Sequence, residues 1–280
     1  MRVMLILTAA LCAALVHADW RRDLADLYFV PAPAAAGTDD ADYTAFASRV
    51  AADGGSIISK TDCTNAIAHA KANSYWTSAL AWWSGQFAVK TNASGKVSKW
   101  YDLTTNNNDA VQADEAKQPT WTANQQNGRA AIVFNATDAN STNMTFTEVT
   151  TLRSLFWVTK ERYLKIWHIF MGHTADYPFH RGHDYPGAYW SSTYADWYVQ
   201  EGQTKLDGAN VTGTVDIFPT NAFHIVSLVT TGDVKADSFQ DREGSGWNGS
   251  HAEILLLNAA LSSNEVATVE NALNSKWSVY

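Results

Sequence analysis

The chain has 280 residues, 20 Lys and Arg against 28 Asp and Glu, a formal charge of −8, and 46% hydrophobic residues. This acidic balance argues against nucleic acid or an anionic membrane surface as partner. The length is enough to bury a full core without covalent staples.

Residues 1–18, MRVMLILTAALCAALVHA, have the layout of a secretory signal peptide: Arg2 as basic start, an apolar run, and Val16-His17-Ala18 as a small-residue cleavage site. The expected location is therefore extracellular, at a cell surface, matrix, appendage or virion surface. Cleavage leaves 19 basic and 28 acidic residues, a charge of −9, and Cys63 as the single cysteine, so an internal disulfide is excluded. No later stretch approaches the roughly 20 apolar residues of a membrane span, so no membrane insertion is expected after cleavage.

Residues 19–38 join a short apolar piece, Leu27 to Val30, to a Pro/Ala linker. They read as an arm that can dock on a neighbouring copy, the expected route to a homo-oligomer. Residues 39–75 read as a helical lead-in. Tyr43, Phe46, Ala47 and Val50 follow the i, i+3, i+4, i+7 pattern, with Asp39 or Asp40 as cap and Gly54-Gly55 as stop. Cys63, Ala66, Ile67 and Ala70 repeat that spacing, which makes Cys63 a small buried hydrophobe sooner than an interchain bridge.

From Trp76 onward, short aromatic and β-branched segments alternate with Asn, Gly, Asp and Pro clusters: ALAWWSGQFAV, AAIVF, SLFWVTK, KIWHIFMG, AYWSSTYADWYVQ, AFHIVSLVTT and AEILLL. The pattern predicts an all-β fold, an antiparallel jelly-roll sandwich over residues 76–280, with a short N-terminal helical segment and a C-terminal helix. For that last helix, Ser262 and Glu265 form an S-x-x-E capping box, Leu261 can staple onto Val266, and Val266, Val269 and Leu273 give an apolar stripe.

Three segments resemble the laminin-G-like, concanavalin-A-like lectin/glucanase jelly rolls. KWYDLTTNNNDAVQ (99–112) is similar to that family's W-x-D-x-S-G-N-x-N-x-A-x-Q turn, NGRAAIVFNATD (127–138) to its N-G-x-x-x-V-x-F-x-G-x-x-D strand, and WNGSHAEILLLNAALSSNEVATVENALNSKW to its closing strand and helix. Ala136 stands where the family usually has Gly. Residues 41–76 look like the helical lead-in of such domains in phage and virus-associated surface proteins. The resemblance implies a sandwich that binds glycans or hydrolyses them.

The hydrolase alternative meets an obstacle in the sequence. Retaining hydrolysis needs two carboxyl groups about 5 Å apart, which the laminarinase branch of the family draws from an E-x-D-x-x-E strand. Glu253 in HAEILLL has no carboxylate at i+2 or i+4 and reads as a structural residue of the closing strand. No G-x-S-x-G elbow, H-E-x-x-H helix, C-x-x-C pair or phosphate-binding glycine loop is present. No metal is expected. Calcium is the one ion an acidic loop with Asp233, Asp237, Asp241 and Glu243 could attract, but the loop lacks EF-hand spacing. A zinc set of His173, His180 and His183 conflicts with strand geometry, which turns His180 and His183 to opposite faces.

The candidate contact residues gather at FHRGHDYP (179–186) and the aromatic run after it: His180, Arg181, Asp184, Tyr185, Trp190 and Trp197. Indole and phenol faces stack on sugar rings while polar side chains bond hydroxyls. On a strand, Trp190, Tyr194 and Tyr198 share one face and Tyr189 and Trp197 the other, so one set is core. Asn92, Asn135, Asn140, Asn143, Asn210 and Asn248 are N-glycosylation acceptors by motif. Together these features predict a secreted non-enzymatic glycoprotein that works by contact, with glycans or with copies of itself. It is then a structural subunit or a glycan-binding module, with a polysaccharide-active hydrolase as the alternative.

Overall fold

The computed structural model describes residues 39–136, 141–163, 169–182, 187–240 and 246–280. The predicted signal peptide and arm lie outside these residues.

Helix α1 (Ala41–Ala52) starts on Asp40, whose side chain accepts from Asp42 N–H at 2.9 Å, and buries Tyr43, Phe46 and Val50. Gly54, at φ +71°, turns the chain out of it. Strand β1 (Ser56–Ile57) leads to α2 (Lys60–Ala72), capped by Ser59 Oγ and burying Cys63, Ile67 and Ala70. The strands that follow are β2 (Ala79–Ser84), β3 (Ala88–Thr91), β4 (Val97–Trp100), β5 (Ala110–Val111), β6 (Thr120–Gln126), β7 (Arg129–Phe134), β8 (Thr145–Glu161), β9 (Gln203–Leu206), β10 (Ala209–Val211) and β11 (His224–Ser238). The helical turn α3 (Trp197–Gln200) precedes β9, and β12 (Gly249–Leu257) leads to α4 (Ser263–Trp277).

All pairings between these strands are antiparallel. The order β1-β3-β4-β5-β8-β11-β9-β10 forms one edge-to-edge path, with β12 joining β8 to β2 and β7, and β6 on β7. The long strands β8 and β11 pair along most of their length, with register shifts between Val229 and Ser238 that bend the sheet.

The sheet has a core on each face. Leu155 and Trp157 of β8 with Ile254 and Leu256 of β12 enter an aromatic-rich cluster that includes Trp83, Trp100, Trp190 and Trp247. Their neighbours Phe156, Val158, Leu255 and Leu257 enter the other cluster, with α1, α2 and α4. Burial on both faces is why SLFWVTK and AEILLL are continuous apolar runs and not alternating ones.

Three motif residues have local explanations. Asp102 is fully buried and its carboxylate accepts from the N–H groups of Trp82, Thr104 and Asn108 at 2.8–2.9 Å and from Thr104 Oγ1 at 2.7 Å, tying the 102–108 turn to β2. Asn127 and Gly128, at φ 47° and 70°, supply the left-handed turn between β6 and β7. At the far end, Ser262 N–H donates to Glu265 Oε2 at 2.7 Å while Ser262 Oγ accepts from Glu265 N–H, completing the capping box; Val266, Val269, Leu273 and Trp277 are buried.

The predicted strand AYWSSTYADWYVQ forms turns followed by α3, and of KIWHIFMG the described residues 169–172 hold one isolated bridge, at Gly172. The edge of β11 is taken by β9. Phe170, Phe179, Tyr189 and Trp190 are in the core as loop residues, because β-propensity records a fit to a packed surface and not backbone pairing itself.

Candidate contact surface

The segment 179–182 lies inside the protein. His180, Arg181 and Trp190 are at most 1% exposed, so the predicted contact face built on them is corrected: they are interior residues. Asp184, Tyr185 and His183 lie outside the described residues. Arg181 sits with its Nη1 3.2 Å from Glu161 Oε1, a pair with both side chains buried. Its Nε and Nη2 donate to the Ala188 and Gly187 carbonyls at 3.2 Å. The guanidinium lies over Phe170, Phe218 and Trp247, 4.8–5.5 Å from the ring centroids. This is a clamp that holds the backbone of Gly187 and Ala188 to the end of β8. Trp190 donates its indole N–H to Thr204 Oγ1 at 2.7 Å and fills core.

Aromatic side chains do reach solvent a few residues later. Trp197 is 64% exposed, Tyr198 44% and Tyr194 43%. Their turn is firmly held: Asp196 N–H bonds Pro178 O at 3.0 Å, Asp196 Oδ1 accepts from Tyr198 N–H at 2.8 Å, and Val199 is buried beneath. Tyr198 rests on the backbone of Gly232, where an added Cβ would stand 2.6 Å from the ring. Tyr194 packs against His180 and Tyr177, with centroids 5.2 and 6.2 Å apart. This aromatic shelf is three exposed rings within five residues on a capped turn, with Tyr177 packed against Tyr194. Of the predicted residues, Trp197 belongs to this shelf. Tyr177 was not singled out from sequence, where only its place among aromatics and turn residues marked it.

Glu253 is 2% exposed. Its Oε1 accepts from Trp82 Nε1 at 2.8 Å, and its Oε2 from Trp277 Nε1 at 2.8 Å with Lys276 Nζ 2.7 Å away. Oε1 thus holds the Trp82 indole of β2 and Oε2 holds α4 to the sheet. Cys63 is fully buried, and desolvation pushes its thiol pKa up to about 12.

The acidic loop residues have other partners. Asp237 accepts from Thr174 N–H at 2.8 Å and Thr174 Oγ1 at 2.6 Å, and Asp233 lies 3.8 Å from Arg153 Nη1. Asp241 and Glu243 lie outside the described residues. His173 Nε2 is 3.1 Å from Glu148 Oε1. Among the described residues, no three His, Cys, Asp or Glu side chains are grouped to hold a metal ion. Among the sequons, Asn92, Asn135 and Asn210 are exposed, and Asn140 is outside the described residues. Asn248 is fully buried and Asn143 is 9% exposed, so in the folded protein Asn248 is closed to a glycan and Asn143 nearly so.

No protein-family model matches the chain, and no curated protein sequence does. Among solved structures, the sialidase of Trypanosoma rangeli in complex with sialic acid is similar with a TM-score of 0.38 and 14% identity, over 71% of this chain and 33% of the sialidase. The same enzyme as its covalent intermediate with difluorosialic acid gives 0.39 and 13% over the same shares. The chain thus spans about one third of the sialidase, and at this level neither fold nor activity transfers.

Proposed function

We propose that the protein is a secreted, non-enzymatic glycoprotein that acts by contact at an extracellular surface, and that it binds glycans on the Tyr194–Trp197–Tyr198 shelf. The observation that carries this reading is Trp197: a large indole kept mostly in water on a turn fixed from below. Single exposed apolar residues are ordinary, but several together on a rigid support are typical of recognition surfaces. The likeness of residues 99–112 and 127–138 to lectin-type jelly rolls supports sugar as the partner. Against hydrolysis stands the commitment of both Glu253 oxygens to two indoles and a lysine. The assembly role expected of residues 19–38 rests on residues outside the described ones.

A broad glycan array probed with the purified protein tests the reading. Binding to a defined set of glycans that Trp197→Ala abolishes supports it. An array with no bound glycan, or one from which Trp197→Ala removes none of the bound glycans, refutes it.

A further inference from the structure

Helices α2 and α4 lie on the sheet side by side, and between them opens a cleft of about 340 Å³. Positions 62, 65, 66 and 69 of α2 and 269, 272, 273 and 276 of α4 line its walls, each set following helical spacing. Trp82 and Glu253 form the sheet side and Arg129, at the start of β7, also lines it. The volume is at the lower end of ligand pockets, which run from about 300 to 1,000 Å³.

The polar groups in the cleft are unevenly satisfied. Glu253 is fully engaged, as described above. Arg129 is not: its two guanidinium bonds, to Asp62 Oδ1 and to the Asn127 carbonyl, are both 3.5 Å long, and its buried Nε has no hydrogen-bond partner. Five N–H donors thus share two bonds at the outer limit of hydrogen-bond length. Among the described residues, Asp62 in turn receives only the long contact from Arg129 on its carboxylate.

Charge selects the kind of molecule that can complete this pair. Asp62 and Glu253 oppose an anion, and Arg129 and Lys276 oppose a cation, so the lining is electrically balanced. Burial lowers the pKa of His69, whose Nδ1 is 2.9 Å from Tyr75 Oη, so the ring adds no charge at neutral pH. A neutral polyol meets neither penalty. One hydroxyl can accept from Arg129 while a neighbouring one donates to Asp62, and the C–H face can lie on the half-buried Ala66 and Ala272 of the two helices.

We propose that the α2–α4 cleft binds one neutral sugar ring, free or at the end of a glycan chain, through adjacent hydroxyls read by Arg129 and Asp62. The proposal rests on the carbohydrate reading above but concerns a separate place, so the two can fail separately.

Ligand-observed NMR with methyl glycosides of glucose, galactose, mannose and N-acetylglucosamine tests it, with the immobilised glycans of the array as second arm. At least one of these sugars is expected to bind, as free glycoside or only as chain end. Arg129→Gln should weaken that binding at least tenfold, and Ala272→Phe, which fills the cleft and removes no polar group, should abolish it. Trp197→Ala should leave it unchanged, and acetate or inorganic phosphate should not compete. Sugar binding that survives both cleft variants, or competition by the anions, overturns the proposal while leaving the shelf reading intact. No sugar binding in either arm sinks both readings.

Discussion

Replacing Glu253 by Leu removes an anion from beneath α4 while leaving its two indole donors and the facing Lys276 ammonium in place. Glu253 and Lys276 have side-chain exposures of 2% and 14%. Breaking such a buried pair from one side costs about 3–5 kcal/mol, and each orphaned indole N–H, of Trp82 and Trp277, adds about 1–3 kcal/mol where water cannot replace the lost acceptor. Against a total stability of about 5–15 kcal/mol, that brings the variant to the edge of folding. Urea denaturation followed by tryptophan fluorescence measures the loss. Removing the stranded charge as well, in Glu253→Leu with Lys276→Met, should return at least about 2 kcal/mol, because the double variant leaves no unpaired buried ion. If Glu253→Leu costs less than about 1 kcal/mol, or the double variant is no more stable than the single, Glu253 is not the structural anchor described.

Three further outcomes follow from buried groups. Desolvation lowers the His251 pKa from 6.5 to about 3, so below pH 6.5 the unfolded chain takes up a proton that the folded one refuses. Stability should therefore fall by about 1.4 kcal/mol per pH unit from this group between about pH 6.5 and 3. His251→Phe, which keeps a ring against Trp247, should flatten that slope in denaturation curves at pH 7 and 5; an unchanged slope would refute the assignment. Arg181→Met should cost about 1–3 kcal/mol for each of the Gly187 and Ala188 carbonyls it leaves without a donor, and thermal unfolding within 1 °C of the parent would contradict the clamp. Cys63 in a chain lacking residues 1–18 should ignore a thiol reagent at pH 8 and react once in denaturant; rapid native reaction would show that its site is open.

Much of this architecture is written locally in the chain. The caps on α1 and α4 use side chains within three residues of their targets, so Asp40 and the Ser262–Glu265 box are legible without the fold. The runs in β8 and β12 are equally plain because both faces are buried. Residues 169–200 misled for a physical reason: aromatic content reports burial, and burial there is reached through turns. Gly182 and Gly187, at φ 50° and 93°, and the capping Asp196 were the available signs of that. The interior position of Arg181 was not legible, since its partner Glu161 is 20 residues away and its aromatic neighbours come from three separate segments. The burial of Asn248 likewise depends on the pairing of β12 with β7 and β8, which a sequon cannot announce.

The most direct test of the contact reading is the affinity of the protein for the best glycan on the array, measured by titration calorimetry beside a reducing-end assay on the same mixture. The account predicts saturable binding, a loss of about 2 kcal/mol or roughly thirtyfold for Trp197→Ala with folding stability changed by less than about 0.5 kcal/mol, and no release of reducing ends. Equal affinity in parent and Trp197→Ala, or reducing ends that accumulate with time, would contradict it.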